Sequence, residues 1–188
     1  MVLNRLYLDK NIVAKAREVY AKEKPKNIRL DQIFQPTIFK LLQEKLFTAA
    51  YKLKFNPLRF KYQTAKVKEV DSFLKGYYFK ELVLELLNLK KYNLTYEIRL
   101  FEPGNYTLLH DAEKELAGID FILDFSQDAK NASGCIKYLT SDEELVELDP
   151  KKNTLSFVER KQNIMRYVKY VNHRQTPRIL VMGTLLVE

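Results

Sequence analysis

The sequence predicts an α+β fold in which helices come first and antiparallel strands follow. Three observations carry this. Apolar residues recur at helical spacing as far as Leu89, and from Leu94 the period changes to two. The second half is cut by Asn, Asp, Gly, Pro and Lys into about eight short apolar runs, the pattern of a sandwich or barrel. Apolar residues make up 46% and aromatic residues 12% of 188 positions, with 5 Gly and 6 Pro, so the chain can bury one sizeable core and carries no low-complexity bias.

Residues 11–24 are good helix formers with Ile12, Ala16, Val19 and Tyr20 at helical spacing, and Pro25 ends them. This segment reads as an arm, giving a helical extension over residues 1–27 and a main domain over residues 28–188. Residues 28–30 read as a short strand. Pro36 suits a first helical position, and Ile38, Phe39, Leu41, Leu42, Leu46, Ala49 and Ala50 form a broad apolar face behind it. Asn56-Pro57 punctuates the chain. Residues 60–70 alternate apolar and polar, which suits an edge strand or an irregular arm. Residues 77–89 form another helix, with Phe79, Leu82, Val83, Leu86 and Leu87 on one stripe.

Residues 96–101 alternate, and Pro103-Gly104-Asn105 is a turn, since Pro fixes φ and Gly or Asn accepts a positive φ. Strands are expected at residues 106–109, 119–125, 135–139, 145–148, 154–158, 164–171 and 179–187. Asp120 and Asp124 interrupt the most apolar of these and share a face by strict alternation. Buried carboxylates need partners, and Arg166, Lys169 and Arg178 are the cations expected to form a salt-bridge network with them.

Net charge is +8, from 32 Lys+Arg against 24 Asp+Glu. Such a balance suits nucleic acid, an acidic partner or an anionic ligand, but the lysines are spread along the chain, which favours a solvated basic surface. Arg160-Lys161, Arg166 and Lys169 with Tyr167 and Tyr170 keep RNA open as a partner. The single cysteine, Cys135, excludes an internal disulfide and is expected to be buried and inert in a reducing compartment. Charges interrupt the apolar residues at the N-terminus, so no signal peptide is read there, and no apolar run reaches membrane-span length. A cytoplasmic protein with no membrane partner is expected, and the oligomeric state is open. No Gly-rich phosphate loop, Cys-x-x-Cys pair or Gly-x-Ser-x-Gly elbow occurs.

The stretch Gly104-Asn-Tyr-Thr-Leu-Leu-His110-Asp111, the glycine Gly134, the run Asp149-Pro-Lys-Lys-Asn-Thr-Leu-Ser-Phe157 and Arg178 together resemble the 2-oxoglutarate and iron(II)-dependent dioxygenases, in their prolyl-hydroxylase-like branch. The resemblance runs over residues 28–187. It implies N-terminal helices packed on a double-stranded β-helix, a jelly-roll or cupin-like barrel, with Fe(II) and 2-oxoglutarate as cofactors. It implies His110 as first metal ligand, Asp111 or Glu113 as the carboxylate and His173 as third ligand. Arg178 would grip the cosubstrate, with Tyr106 beside it; core or rim aromatics are the competing reading of Tyr106, Tyr167 and Tyr170. Two histidines and a carboxylate on one face of iron leave positions open for cosubstrate and oxygen, and an arginine pairs bidentately with a carboxylate.

The chain departs from the family pattern. Ala112 stands where His-x-Asp requires the carboxylate, Met165 or Arg166 where the distal histidine belongs, and Leu180 where a serine or threonine often follows the arginine. The metal-ligand motif is therefore incomplete. Two functions follow as expectations. One is an oxygenase acting on a protein or peptide, such as a prolyl hydroxylase. The alternative is a catalytically degenerate β-helix protein that binds protein or RNA.

Overall fold

A computed structural model describes residues 3–109, 117–126, 133–173 and 176–187. A short 3-10 helix at Arg5–Leu8 is capped by the Asn4 side chain. Helices α1 (Lys10–Lys22), α2 (Pro36–Phe47), α3 (Lys68–Leu74) and α4 (Tyr77–Leu87) occupy the first half, with strands β1 (Asn27–Asp31), β2 (Lys52–Asn56) and β3 (Phe60–Ala65) between them. Strands β4 (Tyr92–Phe101), β5 (Tyr106–Thr107), β6 (Gly118–Asp124), β7 (Ile136–Leu139), β8 (Glu144–Leu148), β9 (Thr154–Arg160), β10 (Met165–Val168) and β11 (Arg178–Val187) follow.

Local chemistry sets several boundaries. Pro36 opens α2, where its missing N–H costs nothing. Asp9 caps α1 by accepting from the Asn11 N–H at 2.8 Å. Asn88 closes α4 in the left-handed conformation, φ 54°, as C-caps do. Residues 60–70 divide differently from the expected single arm. The alternating part is β3, and Lys68–Leu74 is helical, burying Val70, Phe73 and Leu74.

The main sheet has the order β1-β9-β6-β11-β4-β3-β2, with β5 paired to β3, and a second sheet has the order β10-β7-β8. All these pairings are antiparallel. Successive side chains of a strand face opposite ways, so β6 serves two cores. Ile119, Phe121 and Leu123 join Leu155, Phe157, Ile179, Val181 and the buried faces of α2, α3 and α4 in one apolar cluster. Ile122 joins Val158, Leu180, Met182, Tyr138, Ile136 and Val168 in another, between the two sheets. Helices on one face and a smaller sheet over the other make the N-terminal helices plus double-stranded β-helix that the resemblance implied.

Leu3, Val13 and Tyr20 lie in the helix-side cluster, so α1 is seated on the same core as the barrel, against α4 and β1. Cys135 is fully buried, and burial, with Glu147 beside it, pushes its thiol up to about 11, which leaves it protonated and unreactive at neutral pH. Among the described residues no helix is long and apolar enough to cross a membrane.

Candidate functional site in the barrel

Of the residues expected at the site, Tyr106 lies on β5, His173 follows β10 and Arg178 opens β11. Gly104 turns the chain after β4 with φ +86°, a conformation open to glycine. The turn is held to the segment after β10: the Gly104 N–H donates to the Val171 carbonyl at 2.8 Å, and the Val171 N–H to the Asn105 carbonyl at 2.9 Å. From there Thr107 accepts from the Val168 N–H at 2.6 Å, fixing β5 against β10. Tyr106 is half-buried on β5, and its hydroxyl donates to the Pro57 carbonyl at 3.5 Å, toward the β2–β3 turn. His110, Asp111 and Glu113 lie outside the described residues.

His173 sits on an exposed turn, with Nε2 2.5 Å from the Tyr170 hydroxyl and the two rings edge to face. It lies over the Gly104 turn; a Cβ on that glycine would stand 3.3 Å from its ring.

Arg178 begins β11 and is 3% exposed. Its guanidinium donates to Asp124 Oδ2 at 2.5 Å, to Ser126 Oγ at 3.3 Å and to the Gly134 carbonyl. Asp124 also accepts from the Ser126 and Lys151 N–H groups at 2.8 and 3.1 Å. Gly134 has a positive φ, and a Cβ there would meet Arg178 Cδ at 2.9 Å, so the backbone at Gly134 lies directly against the arginine.

Asp120 forms a second ionic centre four residues back along β6. It accepts from Arg160 Nε at 2.9 Å and Nη2 at 3.2 Å and from Thr184 Oγ1 at 2.7 Å, and Arg166 Nη1 stands 2.9 Å away as an ion pair. Burial raises its carboxyl, but the two guanidiniums and the Arg160 and Thr184 hydrogen bonds outweigh it, so the group is held below the usual carboxylate range. Arg160 was not among the partners expected for β6. Extending the alternation of β9 through Ser156 and Val158 to Arg160 would have placed it on the same face. Lys169 lies outside this network; Arg166 and Arg178 lie in it.

Ile122, Leu180, Met182 and Tyr138 fill the space between the two ionic centres. Among the described residues a cavity of about 180 Å³ has Arg59, Arg99, Arg166, Tyr62, Thr107 and Met182 in its wall. Arg99 lies 4.7 Å from the Tyr62 ring centroid and pairs with Glu97 at 2.8 Å. Iron(II) in this superfamily asks for neutral imidazoles and a carboxylate. Of the expected ligands, only His173 lies among the described residues. Strand β10 presents Met165, Arg166, Tyr167 and Val168, the cavity wall is cationic, and no group of three His, Cys, Asp or Glu among the described residues is placed to hold a metal. Arg178, expected from the sequence to grip the cosubstrate, is paired with Asp124.

A two-sheet barrel of this topology, with helices on one face and an arginine opening its last strand, defines a 2-oxoglutarate and iron(II)-dependent oxygenase-like protein of the prolyl-hydroxylase-like branch. The solved structures agree on the fold. A Pseudomonas putida prolyl-4-hydroxylase superposes with a TM-score of 0.70 at 12% identity, covering 94% of this chain and 100% of that one. A Trichoplax adhaerens prolyl hydroxylase, solved with a hypoxia inducible factor oxygen degradation domain peptide fragment, gives 0.69 at 8% identity, covering 97% and 92%. More narrowly, residues 54–184 match the family described as oxoglutarate and iron-dependent oxygenase degradation C-term, and the chain belongs to that family. It is 34% identical over 82 residues to mouse prolyl 3-hydroxylase OGFOD1, covering 42% of this chain and 15% of that protein. With the Xenopus laevis protein of the same name it shares 33% over 88 residues, 44% of this chain and 17% of that protein. The matched region is thus a small part of either relative.

Proposed function

We propose that this barrel is a non-catalytic module of the prolyl-hydroxylase-like class, one that keeps the fold and binds a protein partner in place of metal and cosubstrate. The observation that carries this reading is Arg178. Its guanidinium already holds an internal carboxylate, Asp124, and both are nearly fully buried. For 2-oxoglutarate to take Arg178, Asp124 would lose its buried counterion and keep only the Ser126 and Lys151 N–H donors, a loss of about 3–5 kcal/mol for breaking a buried pair. The ligand's own pairing has to exceed that before any affinity appears. A barrel interior filled by Leu180, Met182 and Tyr138 supports the same reading. The single cysteine supports a reducing, cytoplasmic setting, and residues 1–27 are read as a helical extension on a domain formed by residues 28–188.

The test is an anaerobic Fe(II) titration followed by a succinate-release assay with 2-oxoglutarate. Neither saturable iron binding nor succinate above the protein-free rate is expected.

The names of the relatives favour a second reading, hydroxylation of a protein or peptide. It assigns His110, Asp111 or Glu113, and His173 to Fe(II), and Arg178 and Tyr106 to 2-oxoglutarate. Iron-dependent succinate release that disappears in His110→Ala would establish it and end the non-catalytic reading.

A further inference from the structure

Strand β4 is paired along its whole length with β11 but meets β3 only at Ile98, Arg99 and Leu100. Beyond Ile98, toward Tyr92, no described strand continues on that side, because the chain leaves β3 at Ala65 and enters α3 at Lys68. The space left is a groove of about 1070 Å³ against Tyr96 and Glu97.

Its walls are set with lysines in two Lys-x-Lys pairs. Lys52 and Lys54 project from one face of β2, and Lys66 and Lys68 flank Val67, which is buried and anchors the link between β3 and α3. Two carboxylates line the groove, and both are engaged. Asp71 accepts from Lys75 at 2.9 Å and from the Tyr96 hydroxyl at 2.7 Å. Glu97 accepts from Lys54 at 2.5 Å and from Arg99 at 2.8 Å. Lys52, Lys66 and Lys68 are exposed and form no ion pair among the described residues. The groove therefore carries a positive surplus beside an open strand edge.

We propose that this groove binds an extended acidic segment of a partner polypeptide, with carboxylates at alternate positions, laid along the free edge of β4. This rests on the partner-binding role proposed above and names the partner's chemistry. Lys52 and Lys54, two residues apart on β2, are separated by about 6.6 Å, which is also the repeat of side chains on one face of an extended partner. Backbone groups of the partner would pair with the β4 edge, as in strand addition to an open sheet, and the lysines would select acidic residues on one face. A nucleic acid fits less well. Its recognition favours arginine forks and aromatic platforms, whereas the groove offers lysines and one ring, Tyr96, whose hydroxyl is tied to Asp71.

The experiment uses the full chain and an acetylated, amidated peptide alternating Glu and Thr, titrated by calorimetry. A block peptide of the same composition and a single-stranded RNA of matched charge run alongside. The alternating peptide is expected to bind more tightly than the other two. The double reversal Lys52→Glu and Lys66→Glu, at exposed positions, should weaken it about tenfold or more, while the reversal Lys40→Glu on α2 should leave it unchanged. Equal binding of alternating and block peptides, no effect of the double reversal, or preferential RNA binding would each overturn the proposal. The succinate assay uses no peptide, so its outcome reports separately on the non-catalytic reading.

Discussion

The two faces of the main sheet are built from the same strands and have opposite chemistry. On the helix side, β6 contributes Ile119, Phe121 and Leu123 to a core in which no buried charged group stands among the described residues. On the barrel side it contributes Asp120, Ile122 and Asp124, and two of these three anchor arginines. The helix side is stabilised by area removed from water, which is indifferent to pH and to a ligand. The barrel side is stabilised only while each buried charge keeps its partner, because an orphaned ion inside a protein costs more than the pair contributes. In this superfamily the barrel side carries the chemistry. Here internal carboxylates engage Arg160, Arg166 and Arg178.

The largest effect is expected on the helix side. The Phe121 ring is fully buried, meets Phe79 edge to face at 5.7 Å and lies over Gly183, where a Cβ would stand 2.4 Å from the ring. Phe121→Ala leaves a cavity that the sheet backbone beneath it cannot collapse to fill, so a loss of about 4 kcal/mol is expected. Denaturant unfolding should show a lower midpoint with an unchanged slope. A much smaller loss would mean that the helix side is not held by buried apolar area as described.

On the barrel side, Asp120→Asn keeps the shape and an acceptor for Thr184 but removes the charge between Arg160 and Arg166. A loss of about 3 kcal/mol is expected from two guanidiniums left facing a neutral group. The substitution also sharpens the contrast through pH. The Asp120 carboxyl titrates below its ordinary value when folded, so its contribution is fully present above the unfolded value, near 3.9, and is lost as pH falls through the lower folded value. The wild type should lose thermal stability steeply over that acid window. Asp120→Asn should start lower and show a shallower acid limb, while Phe121→Ala should keep the wild-type steepness.

The same contrast explains what was legible in the sequence. The helix-side face could be read because hydrocarbon burial writes its period directly, as in residues 77–89 and 119–125. Asp120 and Asp124 could be placed together on the barrel side, since alternation fixes faces, and Arg178 could be matched to them as a buried cation. Arg160 was missed because it follows Glu159 at the end of β9 and reads as part of a basic solvent-facing run. Strand β2 was missed because four of its five residues are exposed, so no burial pattern marks it. Helix α3 was hidden by the period of two running in from β3, although Val67, Val70 and Leu74 already had helical spacing. His110 and Asp111 mark the family in the sequence, and a motif alone does not say whether the third ligand and a free cosubstrate anchor accompany it.

The smallest effect tests whether burial, and not the ion pair as such, makes the barrel side sensitive. Lys151 Nζ lies 2.6 Å from Asp31 Oδ2, closer than either Arg160 or Arg166 lies to Asp120, but both side chains are about half exposed. Water solvates both ions before and after they meet, and holding a long lysine side chain in one rotamer offsets part of the attraction. Lys151→Ala should therefore cost no more than about 0.5 kcal/mol, and added salt should shrink that difference further. A loss comparable to that of Asp120→Asn would show that proximity governs these pairs, and the contrast between the two faces of the sheet would then lose its physical basis.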